Sequence, residues 1–332
     1  MTPRTIAQRS EVEGIDEEVR PEARERALDL RSRGKDFAMR MAGVTGVGLD
    51  RLLGDRARGF VGILTYHRTA PLPSGLPKPL HNVTPDRLRE QLSGLRRAGF
   101  RFWTVGRLLE AGLRRQPVPP RTVVVTFDDG YATLYGHAWP ILRDLGVPAT
   151  LFVCTAFLDQ EGAFHFDAWG IAHANRAPAE TYRPLTTAQC REMARSGVIE
   201  LASHTHTHRD FRGRPEEFAR DLASSLEVLE DQFGRRSVPF AFPYGSPHRG
   251  FASDELVAAA KAAGVSCAFT ARSALVDPRS DPFGWGRFSV FPWDTSATLG
   301  AKLRGWYSWA PRAWQRLARG VRPLTAMVPR AS

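Results

Sequence analysis

Short apolar, β-branched runs alternate along this chain with amphipathic stretches that stop at glycine. Residues 60–66 (FVGILTY) and 123–126 (VVVT) read as buried strands. Between them, residues 85–98 (PDRLREQLSGLRRA) carry apolar side chains at helical spacing. The pattern then repeats: helix 138–145 closed by Gly146, strand 149–153, helix 187–196 ended by Gly197, strand 198–202. Helix 216–233 ends at Gly234, strand 240–242 follows, helix 254–263 ends at Gly264, and strand 267–270 closes the series. Strands separated by helices must run parallel, because each helix carries the chain back to the starting edge. The fold class is therefore α/β, either a βα barrel or an open doubly wound sheet.

This patterned region spans about 58–295. Residues 1–57 are charged and lack strand-like runs, and are expected to form a largely helical extension. Residues 296–332 form a basic, Trp-rich tail. Its segment 301–320 (AKLRGWYSWAPRAWQRLARG) mixes Trp306, Trp309 and Trp314 with Arg and Lys. Such a segment suits an interfacial helix and peripheral membrane association, but Pro311 interrupts it and favours tryptophans packed on the domain. Apolar residues make up 42% of the 332, enough for a sizeable core. Lys and Arg exceed Asp and Glu by 46 − 35 = 11. No basic run resembles a nucleic-acid module, so no nucleic-acid partner is expected, and the excess reads as a solvated Arg-rich surface. Cys154, Cys190 and Cys267 are far apart with no CxxC, against a disulfide framework or a Cys-ligated zinc. No signal-peptide or membrane-spanning pattern is seen. The expected location is the cytoplasm or a membrane surface, with export left open; the oligomeric state is not legible.

Two chemistry-bearing motifs fall at strand C-terminal ends, where α/β folds build their sites. The first is Thr126-Phe127-Asp128-Asp129-Gly130. Adjacent carboxylates after a buried strand are expensive unless a cation or proton relieves them. Neighbouring side chains diverge, so one can bind a metal while the other faces a substrate. The second is Ser203-His204-Thr205-His206-Thr207-His208. In an extended strand, at ~3.3 Å per residue, His204 and His208 would stand ~13 Å apart. A zinc ion needs its nitrogens at ~2.0–2.1 Å, so a strand cannot bring both to one metal. A helix-like coil after His204 would place these two on one face and turn His206 elsewhere. A carboxylate with two histidines and open positions is the composition of a catalytic zinc site.

These residues resemble a known family. TFDDG at 126–130, His204-Thr205-x-x-His208 and Phe240-Ala241-Phe242-Pro243-Tyr244-Gly245 are similar, in order and spacing, to the first three motifs of the polysaccharide deacetylases (NodB-homology domain, carbohydrate esterase family 4). The resemblance implies a distorted (β/α)7 barrel and one divalent metal, usually zinc, with cobalt, nickel or manganese as alternatives. Carried over by position, Asp129, His204 and His208 become the metal ligands and Asp128 the general base. The implied reaction is metal-assisted hydrolysis of an N-acetyl group on an N-acetylhexosamine glycan, releasing acetate. A backbone N–H at Tyr244 would hold the oxyanion, with Pro243, Arg287 and Trp285 on the substrate side.

The chain departs from the family pattern twice. The third motif usually carries an arginine that orients the catalytic aspartate, and here the position is Ala241. Arg287, in Gly284-Trp285-Gly286-Arg287-Phe288, is the first candidate to replace it and Arg249 the second. The usual C-terminal acid histidine is missing too, since no histidine follows His248. Tyr66-His67-Arg68 instead resembles the opening motif of the poly-N-acetylglucosamine deacetylase branch, which makes His67 the expected acid. His165 and His173 lie in an aromatic insertion (162–169, GAFHFDAW, and just beyond) that could line a sugar groove. Two other readings stand beside this one: an amidohydrolase acting on a small amide or cyclic imide, and an inactive carbohydrate-binding relative. Retention of Asp128, Asp129, His204 and His208 together argues against the last.

Overall fold

The chain divides into a short unit, Met1–Met41, and a large one, Ala42–Ser332. The computed structural model describes residues 41, 44–49, 52, 57, 59–79 and 81–306. The expected helical extension of 1–57 lies almost entirely outside these residues, and Trp309 and Trp314 lie outside them altogether.

Parallel strands form the sheet. β1 (Gly62–Tyr66) lies between β3 (Thr122–Phe127) and β9 (Phe288–Ser289). From β3 the order runs through β4 (Ala149–Val153), β5 (Ile199–Ser203), β6 (Phe240–Ala241), β7 (Ala268–Thr270) and β8 (Trp285–Gly286). A short β2 (Arg101–Trp103) flanks the first half of β3, and β4 takes over along its second half. β8 pairs with β7, β9 pairs with β1, and only Arg287 separates β8 from β9. One interrupted strand thus closes the sheet into the expected distorted barrel. β1, β3 and β4 are buried at every position, as strands walled on both faces must be.

Helices alternate with these strands. The expected ones appear as α1 (Pro85–Arg97), α3 (Trp139–Leu145), α5 (Thr187–Arg195), α6 (Pro215–Phe233) and α7 (Asp254–Ala262). α1 starts on Thr84, whose side chain accepts from Arg87 N, with Pro85 in the first turn. α6 stops at Gly234, left-handed at φ 64°. Sequence reasoning passed over α2 (Val105–Leu113), which contains two glycines, and β8 and β9, which are two residues each. It also passed over α4 (Ala168–His173) and α8 (Ser296–Leu303). α8 packs on α1 and β1 and buries Leu299 and Leu303. The segment read as a tail therefore begins inside the domain, and Trp306 is buried with it. Among the described residues no helix is long and apolar enough to cross a membrane.

The barrel interior is layered. Ile63, Val124, Phe152, Ala202, Ala241, Phe269 and Trp285 come one from each stave and form a buried apolar layer. Two residues further along the same faces stand Thr65, Thr126, Cys154, His204 and Arg287, because inward positions recur with period two. An apolar plug thus carries a polar layer at the strands' C-terminal ends.

Closure leaves little room at Gly286. A Cβ there would meet the Arg272 carbonyl oxygen at 2.3 Å and Ala274 Cβ at 3.1 Å. Gly286→Ala is expected to destabilise the domain by about 1–3 kcal/mol through overpacking. Chemical denaturation against wild type measures this, and equal midpoints would show that the closing strand has slack.

Candidate active site

At the end of β3 the backbone amide of Asp128 still donates to the Tyr66 carbonyl of β1, at 2.9 Å. The next residue leaves the strand: Asp129 is left-handed at φ 73°, followed by Gly130 at φ 94°. A Cβ on Gly130 would stand 3.0 Å from Val153 Cγ2, so the turn needs glycine on steric and conformational grounds. This reversal sends the two carboxylates, both buried, to different partners.

Asp128 meets Arg287. Nη1 of Arg287 donates to Oδ1 at 2.6 Å and Nη2 to Oδ2 at 2.8 Å, a bidentate geometry that fixes the carboxylate plane. The guanidinium also lies over Phe152, 5.2 Å from the ring centre. Burial pushes the Asp128 carboxyl up, but Arg287, His204 and His67 outweigh it and hold the group at about 2. Asp128 is thus an ionised carboxylate at all ordinary pH.

Asp129 faces the two histidines. Its Oδ1 is 3.5 Å from His204 Nε2 and 3.6 Å from His208 Nε2, and the candidate ligand atoms of the three residues all lie within 4.8 Å of one another. Nδ1 of His204 lies 2.8 Å from the Ala241 carbonyl. That contact assigns the proton to Nδ1 and leaves the Nε2 lone pair facing Asp129. Burial holds the imidazoles of His204 and His208 below their ordinary range, so both favour the neutral, ligating form. Burial, and then Asp128, push the Asp129 carboxyl well above the usual range. A buried carboxylate beside an already paired one requires a further cation to ionise. Two neutral imidazoles and this carboxylate fit a divalent metal of zinc's borderline softness.

The loop that brings His204 and His208 together is not the helix-like coil expected from the sequence. It is a tight turn with Thr205 at φ 67° and His208 at φ 54°. His208 N donates to Thr205 Oγ1 at 3.0 Å and Thr205 N to Ser203 Oγ at 3.3 Å. These side-chain bonds replace the missing helical ones. His206 points away from the group, with Nδ1 2.9 Å from Thr155 Oγ1.

Of the remaining sequence candidates, Tyr244, Pro243 and His67 fall around this group, and Arg249 and Trp285 do not. Tyr244 follows β6 at φ 59°, half exposed, its ring 4.9 Å from that of His208. Pro243 is buried, and its carbonyl accepts from Gly245 N at 2.6 Å, tightening the turn that presents Tyr244. His67, at the end of β1, stacks on His81 with ring centres 4.8 Å apart. Burial, then His81, lower its imidazole to about 3. Arg249, the second candidate for the family arginine, lies over Phe251 instead. Trp285 corrects the sequence reading. It stands two residues before Arg287 on the same inward face, hence one layer deeper, packed on Phe269 with its indole N–H donating to Ser280 Oγ. Sequence proximity to Arg287 placed it at the site; strand periodicity removes it.

The structure adds residues that sequence reasoning did not single out. Phe166 stacks on His208 with ring centres 3.8 Å apart, so the 162–169 insertion does reach the site. That insertion is anchored by Arg68, which pairs with buried Asp167 and donates through Nε to the Thr181 carbonyl at 2.6 Å. Exposed His165 packs against Phe166, and His173 against Trp169.

Known proteins similar to this chain are deacetylases. A family model described as polysaccharide deacetylase matches residues 115–268, the stretch holding Asp128, Asp129, His204 and His208. Over that stretch the chain is similar to the polysaccharide deacetylase family. A poly-beta-1,6-N-acetyl-D-glucosamine N-deacetylase of Staphylococcus aureus (strain MRSA252) is 23% identical over 212 residues. That match takes in 61% of this chain and 66% of the relative, so the chain spans about two thirds of the relative's length. The structure of IcaB from Ammonifex degensii, 25% identical, superposes with a TM-score of 0.60 over 75% of this chain and 97% of that one. A de-N-acetylase from Aggregatibacter actinomycetemcomitans has the same fold, with a TM-score of 0.62 at 21% identity over 74% of this chain and all of that one (100%).

The Arg287–Asp128 pair makes a signed prediction. The contribution of Asp128 to stability is complete above about pH 4, the ordinary carboxylate value, and is lost as pH falls towards about 2. Arg287→Met leaves the carboxylate buried without its counter-charge, at a cost of about 3–5 kcal/mol. The deficit should be largest near neutrality and shrink as acid protonates Asp128. Denaturation midpoints of both proteins between pH 3 and 7 give the comparison, and a gap that stays constant with pH would contradict the pairing.

Proposed function

We propose that this protein hydrolyses N-acetyl groups on an N-acetylhexosamine polymer of the poly-β-1,6-N-acetylglucosamine class, releasing acetate and leaving free amines. The observation that carries it is the division of labour between adjacent carboxylates: Asp128 clamped by Arg287, Asp129 shared with His204 and His208. A binding-only relative has no physical need for that whole set.

In this reading Asp129, His204 and His208 hold one divalent metal, with zinc as our assignment. When bound, it supplies Lewis acidity to the acetamide carbonyl and to the attacking water. Asp128 accepts the water's proton at a carboxylate oxygen, and Arg287 keeps that carboxylate ionised and fixed in plane. The backbone N–H of Tyr244 is assigned to the developing oxyanion, presented by the turn that Pro243 and Gly245 close. His67 is assigned to the leaving nitrogen. Its surroundings favour the neutral imidazole, so it can act as an acid only after gaining a proton within the cycle. Phe166 and Tyr244 wall the group around His208 and offer apolar faces to a sugar ring.

The test is acetate release from N-acetylated β-1,6-glucosamine oligomers by zinc-loaded protein, with acetylated chito-oligosaccharides in parallel. Release should cease after chelation and return with zinc. Asp128→Asn is expected to lower kcat by about 10²–10⁴-fold. No acetate from any acetylated glycan would overturn the proposal. For His67→Ala the expectation is a similar fall in kcat and loss of one limb of the pH–rate profile; an unchanged profile would remove His67 from the proton path.

A further inference from the structure

We infer that Asp221, on α6 outside the family motifs, is the positioning residue that presets the His204–His208 pair; the inference rests on the metal-site reading above. Its carboxylate reaches the far side of the ligand loop. Oδ1 accepts from His206 N at 2.7 Å and from Thr207 N at 3.2 Å, and Oδ2 accepts from the Thr207 hydroxyl. One helical turn later Ser225 Oγ lies 2.8 Å from Ser203 Oγ, the oxygen that also takes the Thr205 amide. Residues four apart share a helix face, so a single face of α6 grips the loop at its start and at its middle.

The loop needs such a grip. It holds two non-glycine residues in the left-handed region, Thr205 and His208, a conformation that persists only when neighbours over-determine it. Between them lie His206 and Thr207, whose two amides Asp221 holds. Without these bonds the loop loses what fixes its reversal, and with it the approach of both Nε2 atoms to within 3.6 Å of Asp129 Oδ1. Asp221 touches none of the three candidate ligand side chains in doing this. It acts through backbone shape, and its signature is metal affinity.

The experiment is zinc affinity measured by competition with a chromophoric chelator, together with the cobalt(II) absorption spectrum, for wild type, Asp221→Ala, Asp221→Asn and Thr207→Val. Asp221→Ala is expected to bind zinc about 10–100-fold more weakly, the usual effect of losing a supporting partner, and to give an altered cobalt spectrum. Asp221→Asn keeps an acceptor for the amides but removes the charge and reverses the bond with the Thr207 hydroxyl, and should fall between wild type and Ala. Thr207→Val removes only the hydroxyl bond and should show the smallest loss. Circular dichroism establishes that each variant is folded. Zinc affinities within twofold of wild type in folded Asp221→Ala would overturn the inference. If that variant does not fold, equal affinities in Asp221→Asn and Thr207→Val overturn it instead. Wild type that binds no zinc or cobalt overturns the metal reading itself, a failure distinguishable because it appears before any substitution.

Discussion

Arg287 carries a full positive charge into the barrel and places it on Asp128, and much of the molecule is arranged around that contact. The arginine sits between β8 and β9, the two-residue strands through which the sheet closes. Closure and charge neutralisation are therefore one event. Without closure the guanidinium has no route to Asp128; without Asp128, an arginine that is 4% exposed would be an uncompensated buried charge. The apolar layer beneath excludes water and strengthens the pair. Phe152 and Phe269 flank the guanidinium with their rings.

The pairing also explains why the neighbouring carboxylate differs. Two adjacent aspartates share one buried environment, but only Asp128 has a cation in direct contact. Asp129 is left with two neutral imidazoles, and its carboxyl is pushed towards the protonated form. Identical side chains one residue apart are thus driven in opposite directions, the condition under which a pair can divide a chemical task. The divergence starts with backbone: Asp129 at φ 73° and Gly130 at φ 94° turn the second carboxylate away from the first. Thr205, His208 and Tyr244 are left-handed too. Each of the four non-glycine residues costs of order 1 kcal/mol or more, and these four line one small region. The parallel barrel and α6 supply the surrounding rigidity that keeps them there.

Much of this arrangement was legible in the sequence. Periodicity and glycine stops located most strands and helices, because buried parallel strands are continuous apolar runs and helix C-termini favour left-handed glycine. Distance arithmetic excluded a three-histidine stripe, and His206 indeed turns away to Thr155. Arg287 came into view because Ala241 left an aspartate without its expected arginine. What was not legible depended on registers and contacts between distant segments. Two-residue strands carry no period, so the closing stave was invisible, and with it the depth of Trp285 below the polar layer. The turn at 203–208 owes its form to Ser225 and Asp221, hydrogen-bonding partners from a helix whose sequence reads only as amphipathic. Phe166 was one aromatic among several in its insertion until the Arg68–Asp167 pair fixed which of them faces His208.

His67 shows where geometry and electrostatics pull apart. Its position at the end of β1, near Asp128 and His204, suits a proton donor, yet its surroundings stabilise the uncharged ring. Burial is the main cause, and the stacked His81 adds a second group that resists a charge at that spot. Asp128 acts in the opposite sense, favouring a protonated His67 for as long as it remains a carboxylate itself. Protonation of Asp128 would remove that support, so protonating one group opposes protonating the other. Arg287 therefore acts on His67 in two opposed ways: it keeps Asp128 ionised, which favours the protonated ring, and its own charge disfavours it.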